Sequence, residues 1–328
     1  MKVGIVMDPI ETVKTYKDTS FRLALEAQAR DHELLYMEMG DLYIDGGDPK
    51  AHVRPLTVRD KATDFYTLSE GYDIHLGDLD LILMRKDPPF DLEFVYATHI
   101  LELAEKAGAV VANRPQSLRD CSEKLFTAWF PDTISATIVT RSAARIREFH
   151  QTHKDIILKP LDGMGGASIF RVKEDGNNLG VVIETLTEHG QTYAMVQEFL
   201  PAIKDGDKRI LIINGEPVPY ALARVPSAGE TRGNLAAGGT GRSQPLSDSD
   251  WALARRIGPT LKEKGLYLVG LDVIGDRITE INVTSPTCMR EIENHYDINI
   301  AAQLFAELES AVSTRKSAGQ ASYRSSVK

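Results

Sequence analysis

Cysteine is scarce in this chain, with only Cys121 and Cys288 among 328 residues. With no C-x-x-C spacing and no paired framework, a disulfide scaffold and a Cys-rich zinc site are both excluded, and the redox setting reads as reducing, hence cytoplasmic. Basic charge is also in short supply. Lys plus Arg number 38 against 47 Asp plus Glu, a net charge of -9. No general nucleic-acid or anionic-membrane surface is therefore expected, and an anionic ligand must be held by locally gathered bases. Long apolar runs are missing, so no membrane span is expected, and the short run at residues 3–7 stops at Asp8 instead of continuing into a signal-peptide core. The H-E-x-x-H, G-x-S-x-G and Gly-Lys-Ser/Thr signatures are absent too, which removes a zinc-protease helix, a nucleophile elbow and a P-loop. The eight histidines are scattered and neither thiol has a base beside it in sequence, so nothing points to covalent catalysis by a side chain.

What is present is an ordinary globular composition, 42% hydrophobic and 26% charged, over a length that suits two or three domains. The first third alternates strand and helix patterns, with strands at 3–7, 34–37, 79–84 and 110–112 and helices at 20–30 and 93–106, as a parallel α/β sheet requires. Residues 41–78 are polar and irregular and read as loops with at most a hairpin. A helix is expected from Ser117, as N-cap, through Lys124 to Trp129. The domain boundary is placed near residue 122. Beyond it the pattern changes to paired short strands at 156–159, 168–172, 194–199, 210–213, 218–224, 269–274 and 278–283, with helices at 143–153 and 248–264, an α+β layout. The Ser-, Arg- and Lys-rich residues 313–328 read as a disordered tail.

Three constellations carry chemistry. The first is a strand ending in Lys159, a turn containing Gly163, Met164, Gly165 and Gly166, and then another strand. Glycines let backbone N–H groups approach phosphate oxygens and the lysine adds a point charge, although a plain hairpin turn satisfies the same pattern. The second is the hairpin at 269–283. If its turn holds Gly275, Asp276 and Arg277, Leu271 faces Ile281, Val273 faces Thr279 and Val269 faces Val283 on an apolar side. Asp272, Glu280 and Asn282 then share the other side. Those hard oxygen donors suit Mg²⁺, and a solvated polar face is the alternative. The third is a set of bases, Lys124, Lys159, Lys208, Arg209, Arg224 and Arg232, with Arg209 and Arg224 on neighbouring strands. Arg232 and Asn234 lie in a glycine-rich loop, 226–241, that reads either as a lid or as a surface excursion.

In the order in which they occur, residues 3–9, 84–90, 159–166, 229–239 and 279–288 resemble the ATP-grasp superfamily and, within it, the family of bacterial glutathione synthetases. The resemblance covers nearly the whole chain and implies an ATP-grasp fold. It divides into an N-terminal Rossmann-like parallel-sheet substrate domain (1–122), a small lid domain (123–200) and a C-terminal antiparallel-sheet domain (201–312). It implies ATP as cofactor, with Lys124 and Lys159 on the phosphates and residues 163–166 over them. Gln197, Glu198, Phe199 and Leu200 would meet the adenine, and Asp207 would lie near the ribose. Asp272, Glu280 and Asn282 would hold two Mg²⁺, with Mn²⁺ as a substitute. Arg209 and Arg224 would act on the transferring phosphoryl group. Arg85, Arg232, Asn234, Ser285, Pro286 and Thr287 would meet the substrates, γ-glutamylcysteine and glycine, which are joined through an acyl phosphate. The resemblance also implies a homo-oligomer, a tetramer, with no nucleic-acid or membrane partner. A D-alanine ligase shares the Glu-x-Asn pair but fits residues 85–89 and 285–288 poorly. An ATP-binding regulatory module would be expected to lose a metal ligand or an arginine, and none is missing here.

Overall fold

The computed structural model describes residues 1–326 except positions 164, 228, 230–232 and 234–237, with side chains described through residue 318. The amino-terminal part comprises β1 (Lys2–Val6), α1 (Thr19–Ala29), β2 (Glu33–Met37), β3 (Leu42–Asp45), β4 (Asp48–Val58), β5 (Tyr66–Leu68), β6 (Tyr72–His75), β7 (Leu81–Met84), α2 (Leu92–Ala107) and β8 (Val110–Ala112). Strand order is β3-β4-β2-β1-β7-β8, with β5 and β6 both paired to β4. The four central strands are parallel, and β7 is buried at every position, as a strand covered on both faces must be. Asp18 and Asp91 accept hydrogen bonds from the Phe21 and Phe94 amides and so cap the two helices. The expectation of loops at 41–78 is corrected: β4 alternates buried Ala51 and Val53 with outward His52 and Arg54, and its partners β3, β5 and β6 satisfy its backbone.

The helix expected from Ser117 to Trp129 is also corrected. α3 spans only Pro115–Asp120, with Pro115 at its first position and Arg114 before it. The Ser117 hydroxyl donates to the Lys264 carbonyl at 2.6 Å and caps nothing, and a separate 3-10 turn covers Leu125–Trp129. The break between them lets Glu123 accept the Ile281 amide at 2.9 Å.

A second sheet contains β9 (Thr137–Thr140), β10 (Ile156–Pro160), β11 (Phe170–Val172) and β12 (Ala194–Glu198), with α4 (Ala143–His153) and α5 (Leu179–Thr187) packed beside it. Its order is β11-β10-β12-β9, antiparallel throughout. The third sheet, ordered β15-β14-β13-β16-β17, holds β13 (Asp207–Ile213), β14 (Glu216–Val225), β15 (Thr240–Pro245), β16 (Leu268–Ile274) and β17 (Arg277–Asn282), with α6 (Asp248–Glu263) between β15 and β16 in the chain. α7 (Met289–Tyr296) and α8 (Ile300–Ser326) complete the chain. The disordered tail is overturned: buried Leu308 and Val312 anchor α8, Arg315 donates to the Glu105 carbonyl, and Lys316 lies 2.5 Å from Asp80.

The 269–283 hairpin, β16 with β17, differs from expectation near its turn. Ile274 pairs with Arg277 and Val273 with Ile278, so the turn holds two residues. An irregularity between Asp272 and Val273 then shifts the register, and Leu271 faces Ile281 as expected. Asp272 pairs with Glu280, and Gly270 with Asn282.

Cores divide unevenly. The first and third sheets share theirs: Phe94 and Leu101 cluster with Ile257, Val269 and Ile281, while Val3 and Ile5 cluster with Val218, Phe305 and Leu308. The second sheet keeps its own, built from Ile146, Ile156, Leu158, Ile183 and Val196.

Candidate functional site

The third sheet supplies a buried charge set. Arg209 on β13 grips Asp272 on β16 with two bonds, at 2.5 and 3.0 Å, and Arg224 on β14 reaches the same carboxylate at 2.9 Å. Cross-strand pairing dictates this, since Arg209 stands opposite Asp272, and Arg224 opposite Asp207. Burial alone would raise the Asp272 carboxyl, but the two guanidiniums outweigh it and hold the group well below the usual carboxylate range. Asp207 fares differently. Burial, with repulsion from Asp272 and Glu280, pushes it up to about 7 against the pull of Arg224. One of its oxygens accepts from Arg224, and the other, Oδ1, is buried with no hydrogen-bond partner among the described residues.

Glu280 lies across the hairpin from Asp272 and meets two lysines from outside the sheet. The Lys124 and Lys159 ammoniums each lie 3.5 Å from it. Lys124 also donates to the Gly163 carbonyl at 2.8 Å and to Glu123, which ties the glycine turn to the junction between the sheets. Burial lowers the Lys159 ammonium. For Lys124, burial is outweighed by Glu280 and Glu123, and its pKa rises.

A narrow slot between the second and third sheets collects the residues expected at ATP. Lys124, Lys159, Gly163, Gly165 and Gly166 line one end, and Gln197, Glu198, Phe199, Leu200 and Asp207 the rest. Gly165 and Gly166 adopt φ of +63° and +82°, which explains glycine at both positions. Gly233 also lines the slot, and a Cβ there would lie 2.3 Å from the Arg224 carbonyl, so only glycine fits. Along 197–199, the Gln197 side chain donates to Thr137, and the Glu198 and Phe199 amides donate to Ala136 and Asp155. Those donors are committed within the protein. Met164, Arg232 and Asn234 lie outside the described residues.

A second cleft, of about 430 Å³, opens between the first and third sheets. Arg85, Ser285, Pro286 and Thr287 line it together with Arg209, Arg224 and Asn282. Arg85 is buried, donating to the Ser20 hydroxyl at 3.1 Å and the Pro286 carbonyl at 2.9 Å, so the β7 end and the 284–288 segment form one wall. Glu280 and Gly165 border both slot and cleft.

The oxygen set fits a hard cation. Asn282 donates its amide N–H to the Gly270 carbonyl at 3.2 Å, which turns its nitrogen inward and leaves its oxygen as the acceptor. Two carboxylates and an amide are too few for a closed cage, and among the described residues no three His, Cys, Asp or Glu side chains converge on one. That donor count matches Mg²⁺, which completes its shell with water and phosphate oxygens.

Sequence comparison agrees with this geometry. The family model for the prokaryotic glutathione synthetase N-terminal domain matches residues 1–119, and the model for that family's ATP-grasp domain matches residues 123–297. The chain belongs to the prokaryotic glutathione synthetase family. It is 62% identical over 309 residues to the glutathione synthetase of Escherichia coli strain K12, covering 94% of this chain and 98% of that one. The glutathione synthetase of Photorhabdus laumondii is likewise 62% identical, over 310 residues, with the same coverage of both chains. Among solved structures, the ATP-grasp ligase PsnB, complexed with a precursor variant, Mg and ADP, aligns with a TM-score of 0.64 at 19% identity over 94% of this chain and 98% of its own. D-cycloserine synthetase DcsG aligns at 0.65 and 11% identity over 96% and 100%. Both share the ATP-grasp fold. As a member of the glutathione synthetase family, this chain is an ATP-grasp ligase.

Sequence reasoning missed two carboxylates of this synthetase. Glu123, raised by burial, borders the cleft beside Lys124, and Glu291, on the first turn of α7, borders it from the opposite end of the sequence. Glu123 adjoins a lysine already singled out, which was a usable signal; Glu291 follows a cysteine and an arginine with no motif to mark it.

Proposed function

We propose that this chain ligates γ-L-glutamyl-L-cysteine to glycine at the expense of ATP, giving glutathione, ADP and phosphate, the second step of glutathione biosynthesis. The observation that carries the reading is Glu280, which borders both the nucleotide slot and the substrate cleft, so the γ-phosphoryl group and the cysteinyl carboxylate can meet there.

A carboxylate is a poor electrophile toward an amine. One of its oxygens attacks the γ-phosphorus and the bond to the ADP oxygen breaks, which leaves an acyl phosphate. The glycine nitrogen then attacks the acyl carbon, phosphate departs and the nitrogen loses its proton. Lys124, Lys159 and the glycine turn 163–166 bind the phosphates, while residues 197–200 and Asp207 enclose the nucleoside. Arg209 and Arg224, already fixed by Asp272, present preorganised positive charge to the transferring group. Arg85, Ser285, Pro286 and Thr287 position the dipeptide, and loop 226–241 with Arg232 and Asn234 excludes water from the acyl phosphate. Asp272, Glu280 and Asn282 are the residues to hold Mg²⁺, two ions by family resemblance and replaceable by Mn²⁺, and the metal would neutralise phosphoryl charge.

The three sheets support domain limits near residues 122 and 200. Leu92 and Tyr96, exposed one turn apart on α2, support a homo-oligomer, with the tetramer resting on family resemblance. Among the described residues no helix is long and apolar enough to cross a membrane, and a cytoplasmic setting rests on the two reduced, buried thiols.

ADP release measured with γ-glutamylcysteine plus glycine, with D-alanine alone and with no acceptor tests the reading. Turnover is expected only in the first arm, and Glu280→Ala should lower it about a thousandfold while the fold stays intact by circular dichroism. Turnover with D-alanine alone, or full activity in the variant, would overturn the reading.

A further inference from the structure

Apart from exposed Asp87, each carboxylate in the wall of the substrate cleft can be traced to a partner among the described residues, and Glu291 is the exception. Asp8 pairs with Lys86 at 2.8 Å, Asp18 caps α1, Glu123 holds Lys124, Asp272 is gripped by two arginines, and Glu280 faces two lysines. Asp87 stands exposed at the rim. Glu291 Oε2 is buried without a hydrogen-bond partner among the described residues, a costly arrangement unless something arrives to donate to it. Burial raises its carboxyl, with Lys17, Arg209 and Arg290 as the neighbouring positive charges. In the same wall Lys17 makes no ion pair among the described residues, and Arg85 spends its hydrogen bonds on neutral oxygens. One open acceptor, a lysine with no ion pair and an arginine hydrogen-bonded to neutral oxygens together are the complement of an α-amino-acid zwitterion.

On the functional reading above, two amines enter this cleft: that of glycine and the α-ammonium of the γ-glutamyl group. Glycine must shed a proton and attack the acyl carbon, so a carboxylate that held it as an ammonium would suppress the reaction. The γ-glutamyl ammonium takes no part in the chemistry and is lost from water on binding. We propose that Glu291 reads the α-ammonium of the γ-glutamyl group, with Lys17 and Arg85 receiving its α-carboxylate. The pocket thereby selects γ-glutamyl peptides over acyl-cysteines that lack the amino group, because Glu291 Oε2 stays buried and unpaired when the amino group is missing.

The test compares γ-glutamylcysteine with glutarylcysteine, which differs only in lacking the α-ammonium, using ADP release at saturating ATP. Wild-type enzyme is expected to prefer γ-glutamylcysteine by about 10- to 100-fold in kcat/KM. Glu291→Gln should erase most of that preference by raising KM for γ-glutamylcysteine, with kcat and the KM for glycine little changed. Glu291→Asp should keep part of the preference and serves if the Gln variant does not fold. Equal use of both substrates by wild type, equal loss on both in the variant, or a loss confined to glycine's KM would each overturn the assignment. Wild type that releases no ADP with γ-glutamylcysteine and glycine instead refutes the functional reading itself, and this inference falls with it.

Discussion

The second and third sheets face each other across the nucleotide slot but are built on opposite terms. The five-stranded sheet shares both of its apolar faces with the amino-terminal sheet and the last helices, and its charges are locked to one another by Arg209, Arg224 and Asp272. Among the described residues the buried core of the four-stranded sheet is completed by α4 and α5, and polar ties to the slot floor run through Lys159 to Glu280 and the Thr279 carbonyl at 3.4 Å, and from Lys124 to Gly163. The lesson is a division of labour. The arginines proposed to act in phosphoryl transfer sit where packing fixes them, and Lys159, proposed to bind phosphate, sits on a sheet tied to the slot floor by ionic and polar contacts.

The largest effect that would break this comparison concerns the two cores. Leu271→Ala and Leu158→Ala remove the same side chain from fully buried positions in the two sheets, and each should cost about 2–5 kcal/mol. Leu271→Ala is expected to lower a single melting transition of the whole chain. Leu158→Ala should instead open β10 and β12 ahead of β16, seen as faster amide exchange confined to the small sheet. Joint melting in both variants would mean that the sheets are one cooperative unit.

A smaller effect separates grip from scaffold. Lys159→Met is expected to raise KM for ATP about tenfold and to leave the melting temperature unchanged or higher, because burial already disfavours that ammonium. A lower melting temperature with unaltered KM would move Lys159 from the ligand side to the structural side.

The smallest concerns Asp207. Its native pKa of about 7 exceeds the ordinary 3.8, so between those values the folded chain binds more protons than the unfolded one. Its contribution is therefore fully present below about pH 4 and is lost as pH rises through 7. Urea midpoints measured from pH 4 to 8 should fall less steeply with pH in Asp207→Asn than in wild type, and identical slopes would show that Asp207 is ionised throughout.

Much of this was legible in the chain. Helices α1, α2, α4 and α6 fall within about two residues of their periodic signals, and the faces of β16 and β17 follow from the apolar alternation of Leu271 and Ile281. α5 and α7 are amphipathic but lack a start signal, since both begin after a left-handed residue, Asn178 and Cys288, with no side-chain cap. β15 is polar and gains its place only by pairing with β14. The Ser117 helix failed because a hydroxyl that resembles a cap serves a carbonyl 147 residues away.

Composition and spacing by themselves determined the parallel sheet, the glycine turn beside Lys159, the shared face of Asp272, Glu280 and Asn282, and the neighbouring arginines. These features rest on hydrogen-bond and side-chain periodicities a few residues long. The tertiary structure alone decided that Glu280 borders two pockets, that Glu123 and Lys124 lean on β17, that residues past 312 continue a helix, and that half-buried Glu291 keeps one buried oxygen as an open acceptor. Burial and charge pairing depend on segments more than a hundred residues apart, and no local pattern records them.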